Sequence, residues 1–106
     1  MLGEYVLHLA KIALDNGLDG IISSANEAKL IREAFKENPN FLIVTPGIRP
    51  AWANDDDQKR TATPKDAMLN GASHIVVGRP ITKASNSIDA AKKVLEEIES
   101  AYAIIK

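Results

Sequence analysis

The chain contains no cysteine, which excludes disulfides, thiol nucleophiles and thiolate metal sites together. That absence fits a reducing compartment, and the expected location is the cytoplasm. No apolar run approaches the ~18 residues of a membrane span, and the N-terminus lacks the basic-then-apolar layout of a signal peptide. No membrane partner is expected. Charge of one sign is also missing: the net charge is -1, and the basic residues are scattered. Neither bulk charge nor a basic face therefore points to nucleic acid. There are only two histidines, His8 and His74, far apart and without carboxylates at ligand spacing, so no metal site is expected. No serine sits in a G-x-S-x-G elbow. Linkers, low-complexity tracts and clear internal repeats are absent as well.

What is present is ordinary for one soluble domain: 106 residues, 45% apolar and 25% charged. The pattern alternates helix and strand. "EYVLHLAKIALDN" carries an apolar helical stripe at Val6, Leu9, Ala10 and Ala13, and stops at Gly17. "DGIISSA" reads as a short strand burying Ile21 and Ile22. Ser24 and Glu27 form an S-x-x-E capping box for a helix that buries Ile31, Ala34 and Phe35. "FLIVTPG" is a second strand, stopped by Pro46 and Gly47. A polar loop runs from about Ile48 to Ala62. Thr63 then caps a short helix with Pro64 first and Asp66 third. "HIVVG" is a third strand. A last helix starts near Asn86 and buries Ile88, Ala91, Leu95 and Ile98.

The order is α-β-α-β-α-β-α. Short continuous apolar strands suit a parallel sheet covered by helices. Two architectures follow: a small open doubly wound sheet, or a section of a (β/α)8 TIM barrel. A full barrel needs about 250 residues, so three strands would be less than half of one.

In either architecture ligands bind at the carboxyl ends of the strands. "SSANEA", "TPGIRPAWANDDDQKR" and "GRPIT" sit there, and their polar groups favour anions. Arg49 follows the second strand, Gln58, Lys59 and Arg60 close the long loop, and Arg79 follows the third strand. Arginine can hold a phosphate through two parallel hydrogen bonds, and a neighbouring glycine such as Gly78 lets the backbone approach closely. A single arginine of this kind is ordinarily a solvated loop cation. Two arginines and a glutamine after adjacent strands make the phosphate reading comparable in weight. Trp52, in the same loop, either packs on a ligand or covers the rim.

"VTPGIRP", "DQKRTATPKDA" and "GASHIVVGRPIT", in this order and spacing, resemble the closing part of bacterial orotidine 5'-monophosphate decarboxylases. "GLDGIISSANEA" is similar to the preceding βα unit of that family. The resemblance runs from about Leu2 into the last helix. It implies a (β/α)8 barrel that converts orotidine monophosphate to uridine monophosphate and carbon dioxide, using no metal and no organic cofactor. By this resemblance residues 1–106 are a single partial domain, and the three strands match barrel strands six to eight. Arg49, Gln58 and Arg79 match the family's phosphate-contacting positions, and Gly78 matches a backbone contact beside them. The loop between Arg49 and Gln58 would be the lid over the phosphate.

The family's catalytic D-x-K-x-x-D motif, its further lysine and its base-binding threonine do not align with any residue here. Asp57-Gln58-Lys59 supplies a D-x-K, but Ala62 stands where the second aspartate would be. The chain is thus expected to carry the phosphate end of an active site without the chemical end, and to be inactive by itself. A non-catalytic half-barrel that binds phosphorylated ligands or assembles is the competing reading. A related sugar-phosphate decarboxylase is a third, and "PGIRP" with "DQKR" argues against it. Cut from a barrel, "GIISS" and "HIVVG" would be open edges, and the inner face would lose its cover. The expected partners are therefore a missing N-terminal half of the barrel or further copies of the chain, a two-fold dimer being the commonest closed form.

Overall fold

The computed structural model describes residues 2–50, 52 and 62–105. Helix α1 spans Leu2–Asp15, β1 Gly20–Ile22, α2 Ala25–Ala34, β2 Leu42–Thr45, α3 Pro64–Leu69, β3 His74–Ile75, α4 Arg79–Thr82 and α5 Ser87–Ile105. The order differs from expectation by one element. "RPIT" is a single helical turn, α4, because Pro80 is preset for the first helical turn and is buried there.

The local stop and start signals act as their chemistry requires. Gly17 takes φ +77°, and the N–H of Leu18 reaches the Ala13 carbonyl while that of Gly17 reaches Leu14. These two bonds make a Schellman end to α1. Ser24 caps α2 by accepting from the Glu27 N–H, and its hydroxyl donates to the Glu27 carboxylate at 2.8 Å. Thr63 caps α3 by accepting from the Asp66 N–H.

The three strands form one parallel sheet in the order β1-β2-β3. Register pairs Ile21 with Ile43 and Thr45 with Ile75, and paired residues point to the same face. Ile21 and Ile43 pack under α1 and α2, against Ala10, Ala13, Ala28 and Ile31. Ile75 and Val77 pack under α3 and α5, against Ala67, Met68 and Ala101. Phe35 and Phe41 meet edge to face. The opposite face is bare: Ile22 is 76%, Val76 52% and Leu42 38% exposed. A doubly wound sheet has helices on both faces, so that alternative is excluded for the described residues. The expected burial of Ile22 is likewise corrected, since it lies with Val76 on the uncovered side.

Two further expectations shift. The third strand ends at Ile75, and Val76 adds only its N–H to the Thr45 carbonyl. Pro46 ends β2 and offers no N–H for another rung. On α5 the buried residues are Ala90, Val94 and Ala101, not Ile88 and Leu95, which are 70% and 56% exposed. Small side chains let α5 approach α3 closely, and the larger stripe faces away. On α1, Leu9 is exposed together with Tyr5 and Ile12, and on α2 Ala34 is exposed.

At the amino ends of the strands, Arg32 of α2 holds three segments together. Its Nε and Nη2 donate to the Gly71 carbonyl at 3.0 and 2.8 Å, and Nη1 donates to Phe41 at 2.7 Å. Gly71 takes φ +107°, and a Cβ there would press on the Arg32 stem at 3.0 Å. Burial holds the Arg32 pKa below the ordinary arginine value. No helix among the described residues is long and apolar enough to cross a membrane.

Candidate functional site

The sheet fixes where the two candidate arginines emerge. Thr45 and Ile75 are register partners on adjacent parallel strands. Arg49 lies four residues beyond Thr45, and Arg79 four residues beyond Ile75. Both cations therefore leave the same end of the sheet, from neighbouring strands, after equal lengths of chain.

Different local devices hold them. After β2, Gly47 takes φ +71° and turns the chain. Ile48 then forms a parallel bridge to Ala62, and the Arg49 N–H donates to the Ala62 carbonyl at 2.8 Å. Ile48 and Pro50 on either side are buried. Arg49 is half-buried and its Nε is shut off from solvent, so its guanidinium is held against the fold. Arg79 opens α4 and is half-buried, and its carbonyl accepts from the Lys83 N–H. Gly78 precedes it, and a Cβ there would meet nothing within 4 Å among the described residues. Its backbone, at φ -101° and ψ -100°, lies outside the regular helical and extended regions, which glycine adopts more readily than other residues.

Among the four residues singled out from sequence, Arg49, Gly78 and Arg79 come to this end of the sheet. Gln58 lies outside the described residues, as do Asp55, Asp56, Asp57, Lys59 and Arg60, and with them most of the expected lid. Ser23 and Ser24, at the same end of β1, are spent on local bonds: the Ser23 hydroxyl donates to the Ser24 carbonyl, and Ser24 caps α2. His74 meets Ser73 at 3.2 Å, and His8 lies exposed on α1. No group of three metal-ligating side chains occurs among the described residues. One contact escaped sequence reasoning. The Lys93 ammonium of α5 stands 5.2 Å from the centroid of the Trp52 ring. Neither residue signals the other along the chain.

Comparison with known proteins identifies the family. The chain matches the family described as Orotidine 5'-phosphate decarboxylase / HUMPS over residues 2–94. It is 48% identical over 95 residues to an orotidine 5'-phosphate decarboxylase of Geobacter sp. (strain M21), covering 90% of this chain and 39% of that protein. Against the protein of the same name from Hahella chejuensis the identity is 50% over 97 residues, covering 92% and 41%. The crystal structure of orotidine 5'-phosphate decarboxylase from Lactobacillus acidophilus superposes with a TM-score of 0.75 at 44% identity, over 92% of this chain and 38% of its own. The chain thus spans about two-fifths of the length of the curated relatives it matches. With a match that runs from α1 into α5 and close to half of the aligned residues shared, the chain belongs to the orotidine 5'-phosphate decarboxylase / HUMPS family.

Proposed function

We propose that the chain is the C-terminal, phosphate-holding part of an orotidine 5'-monophosphate decarboxylase. Residues 1–106 form one partial domain, and β1, β2 and β3 are the sixth, seventh and eighth strands of its (β/α)8 barrel. Arg49 and Arg79 grip the 5'-phosphate of orotidine or uridine monophosphate, the Gly78 backbone lies beside it, and Gln58 joins them from the loop. The observation that carries this reading is the equal offset of Arg49 and Arg79 from the Thr45–Ile75 register pair. The bare sheet face supports the barrel part of it, since barrel strands turn one face to a shared interior.

The phosphate is remote from the carbon that loses carbon dioxide. Binding energy gained there organises the reacting end only if that end is present. In a barrel completed with the N-terminal part of a relative, Arg79→Ala is expected to weaken uridine monophosphate about tenfold to a hundredfold, and uridine hardly at all. Arg79→Lys is also expected to lose affinity, because lysine lacks the planar fork. Equal losses for nucleotide and nucleoside, measured by calorimetry, would remove Arg79 from the phosphate site.

A second reading, a half-barrel that assembles with copies of itself, is favoured by the apolar surface left open. Ile22, Leu42 and Val76 line the sheet, and Tyr5, Leu9 and Ile12 line α1. Ile88, Leu95 and Tyr102 form a stripe on α5. Without its complement the chain is expected to sediment as a dimer or larger species whose mass rises with concentration. A compact monomer that persists at high concentration would contradict the cut-barrel arrangement.

A further inference from the structure

We infer that Trp52 and Lys93 form a positioning pair that sets the separation of the two phosphate-gripping arms. The inference rests on the proposed phosphate site and adds residues that do not themselves touch ligand.

Arg49 and Arg79 belong to different parts of the chain. Arg49 follows β2, anchored by the Ile48–Ala62 bridge and the buried Pro50. Arg79 opens α4, which packs on α5. Beyond the Thr45–Ile75 register pair the backbone ladder closes, among the described residues, with the bond from the Val76 N–H to the Thr45 carbonyl. Past that point, side-chain contacts must hold the two arms at a fixed distance. The Trp52–Lys93 contact is one of them. Trp52 stands three residues after Arg49, and Lys93 sits on α5 beside the buried Val94. The ammonium at 5.2 Å lies within the range in which the face of an indole attracts a cation. The pair therefore ties the segment carrying Arg49 to the helix that supports Arg79. Trp52 remains 42% exposed, so the contact is not a core contact enforced by burial. Its purpose is better sought in geometry than in stability.

Trp52 is the only tryptophan in the chain, so its fluorescence reports this contact directly. Iodide, being anionic, is concentrated near the Lys93 ammonium, whereas acrylamide is neutral. In the full chain, Lys93→Met is expected to lower quenching by iodide and leave quenching by acrylamide unchanged. Inorganic phosphate, titrated by calorimetry at constant ionic strength, then tests positioning. Lys93→Met and Trp52→Leu are each expected to weaken it about two- to fivefold, and Lys93→Arg to retain wild-type affinity. Trp52→Leu alters no charge, so its loss separates positioning from simple attraction of the anion. Three results would overturn the inference: unchanged iodide quenching in Lys93→Met, a phosphate loss in Lys93→Met without one in Trp52→Leu, or a fall in thermal midpoint that accounts for both losses. A wild-type chain that binds no phosphate would overturn the phosphate site and the inference with it. The quenching result would then still tell whether the two side chains meet.

Discussion

Given orotidine monophosphate, the chain alone is expected to release no measurable carbon dioxide, and mixing it with the N-terminal three-fifths of a relative's barrel is expected to bring turnover back. Rate enhancement in decarboxylation comes from groups that stabilise charge as it develops at the reacting carbon. None of the family's D-x-K-x-x-D network aligns with these 106 residues. A gripped phosphate without that network binds ligand and accelerates nothing, because the remote binding energy has no reacting end to organise. The expected contrast is several orders of magnitude, from background to a rate set by how much of the mixture reassembles. Release of labelled carbon dioxide measures it. Family-like rates from the purified chain alone would sink this account, and so would a complement that is active to the same degree without the chain.

Replacing Arg32 by alanine is expected to cost about 3 kcal/mol of stability, lowering the unfolding midpoint by roughly 10–20 °C. The guanidinium satisfies the carbonyls of Gly71 and Phe41 at 2.7 to 3.0 Å, and these belong to the turn after α3 and the residue before β2. Deleting it leaves half-buried carbonyls short of donors and unties α2 from both segments. Arg32→Lys is expected to fall between the two, since one ammonium cannot span both carbonyls with the same planar geometry. Thermal unfolding followed by circular dichroism distinguishes the three chains. A midpoint within a few degrees of wild type in Arg32→Ala would show that the bonds contribute little to stability. Arg32 lies at the end of the sheet opposite Arg49 and Arg79. Its loss is therefore expected to act on phosphate binding through unfolding alone.

What the sequence disclosed was whatever is decided within a few residues. Gly17, Ser24, Thr63 and Pro64 each end or start a helix by local chemistry, and each does so in the structure. The parallel strands were legible because β-branched runs between helices have few other uses. Contacts between distant segments were not legible. Periodicity names a stripe on α5 but not which stripe meets α3. The bulky Ile88–Leu95 stripe was the natural choice, while close packing selected Ala90, Val94 and Ala101. Arg32 looks like any helical surface cation until the fold brings Gly71 and Phe41 to it. The same holds for Lys93 and Trp52. At the site, Arg49, Gly78 and Arg79 could be placed because they follow strands directly, whereas Gln58 lies outside the described residues.

The Ile48–Ala62 bridge also bears on how this part of the protein can vary over evolution. The bridge and the Arg49 N–H bond to Ala62 fix the entry and exit of the intervening span independently of its content. Closure entropy grows only with the logarithm of length, so even doubling such a span adds about 0.6 kcal/mol. Under the proposed function, changes of length between Trp52 and Gln58 can therefore accumulate without moving the arginine at the neck, provided those two residues keep their places. The anchor at Ile48 and Ala62 is thus inherited separately from the length of the span it closes.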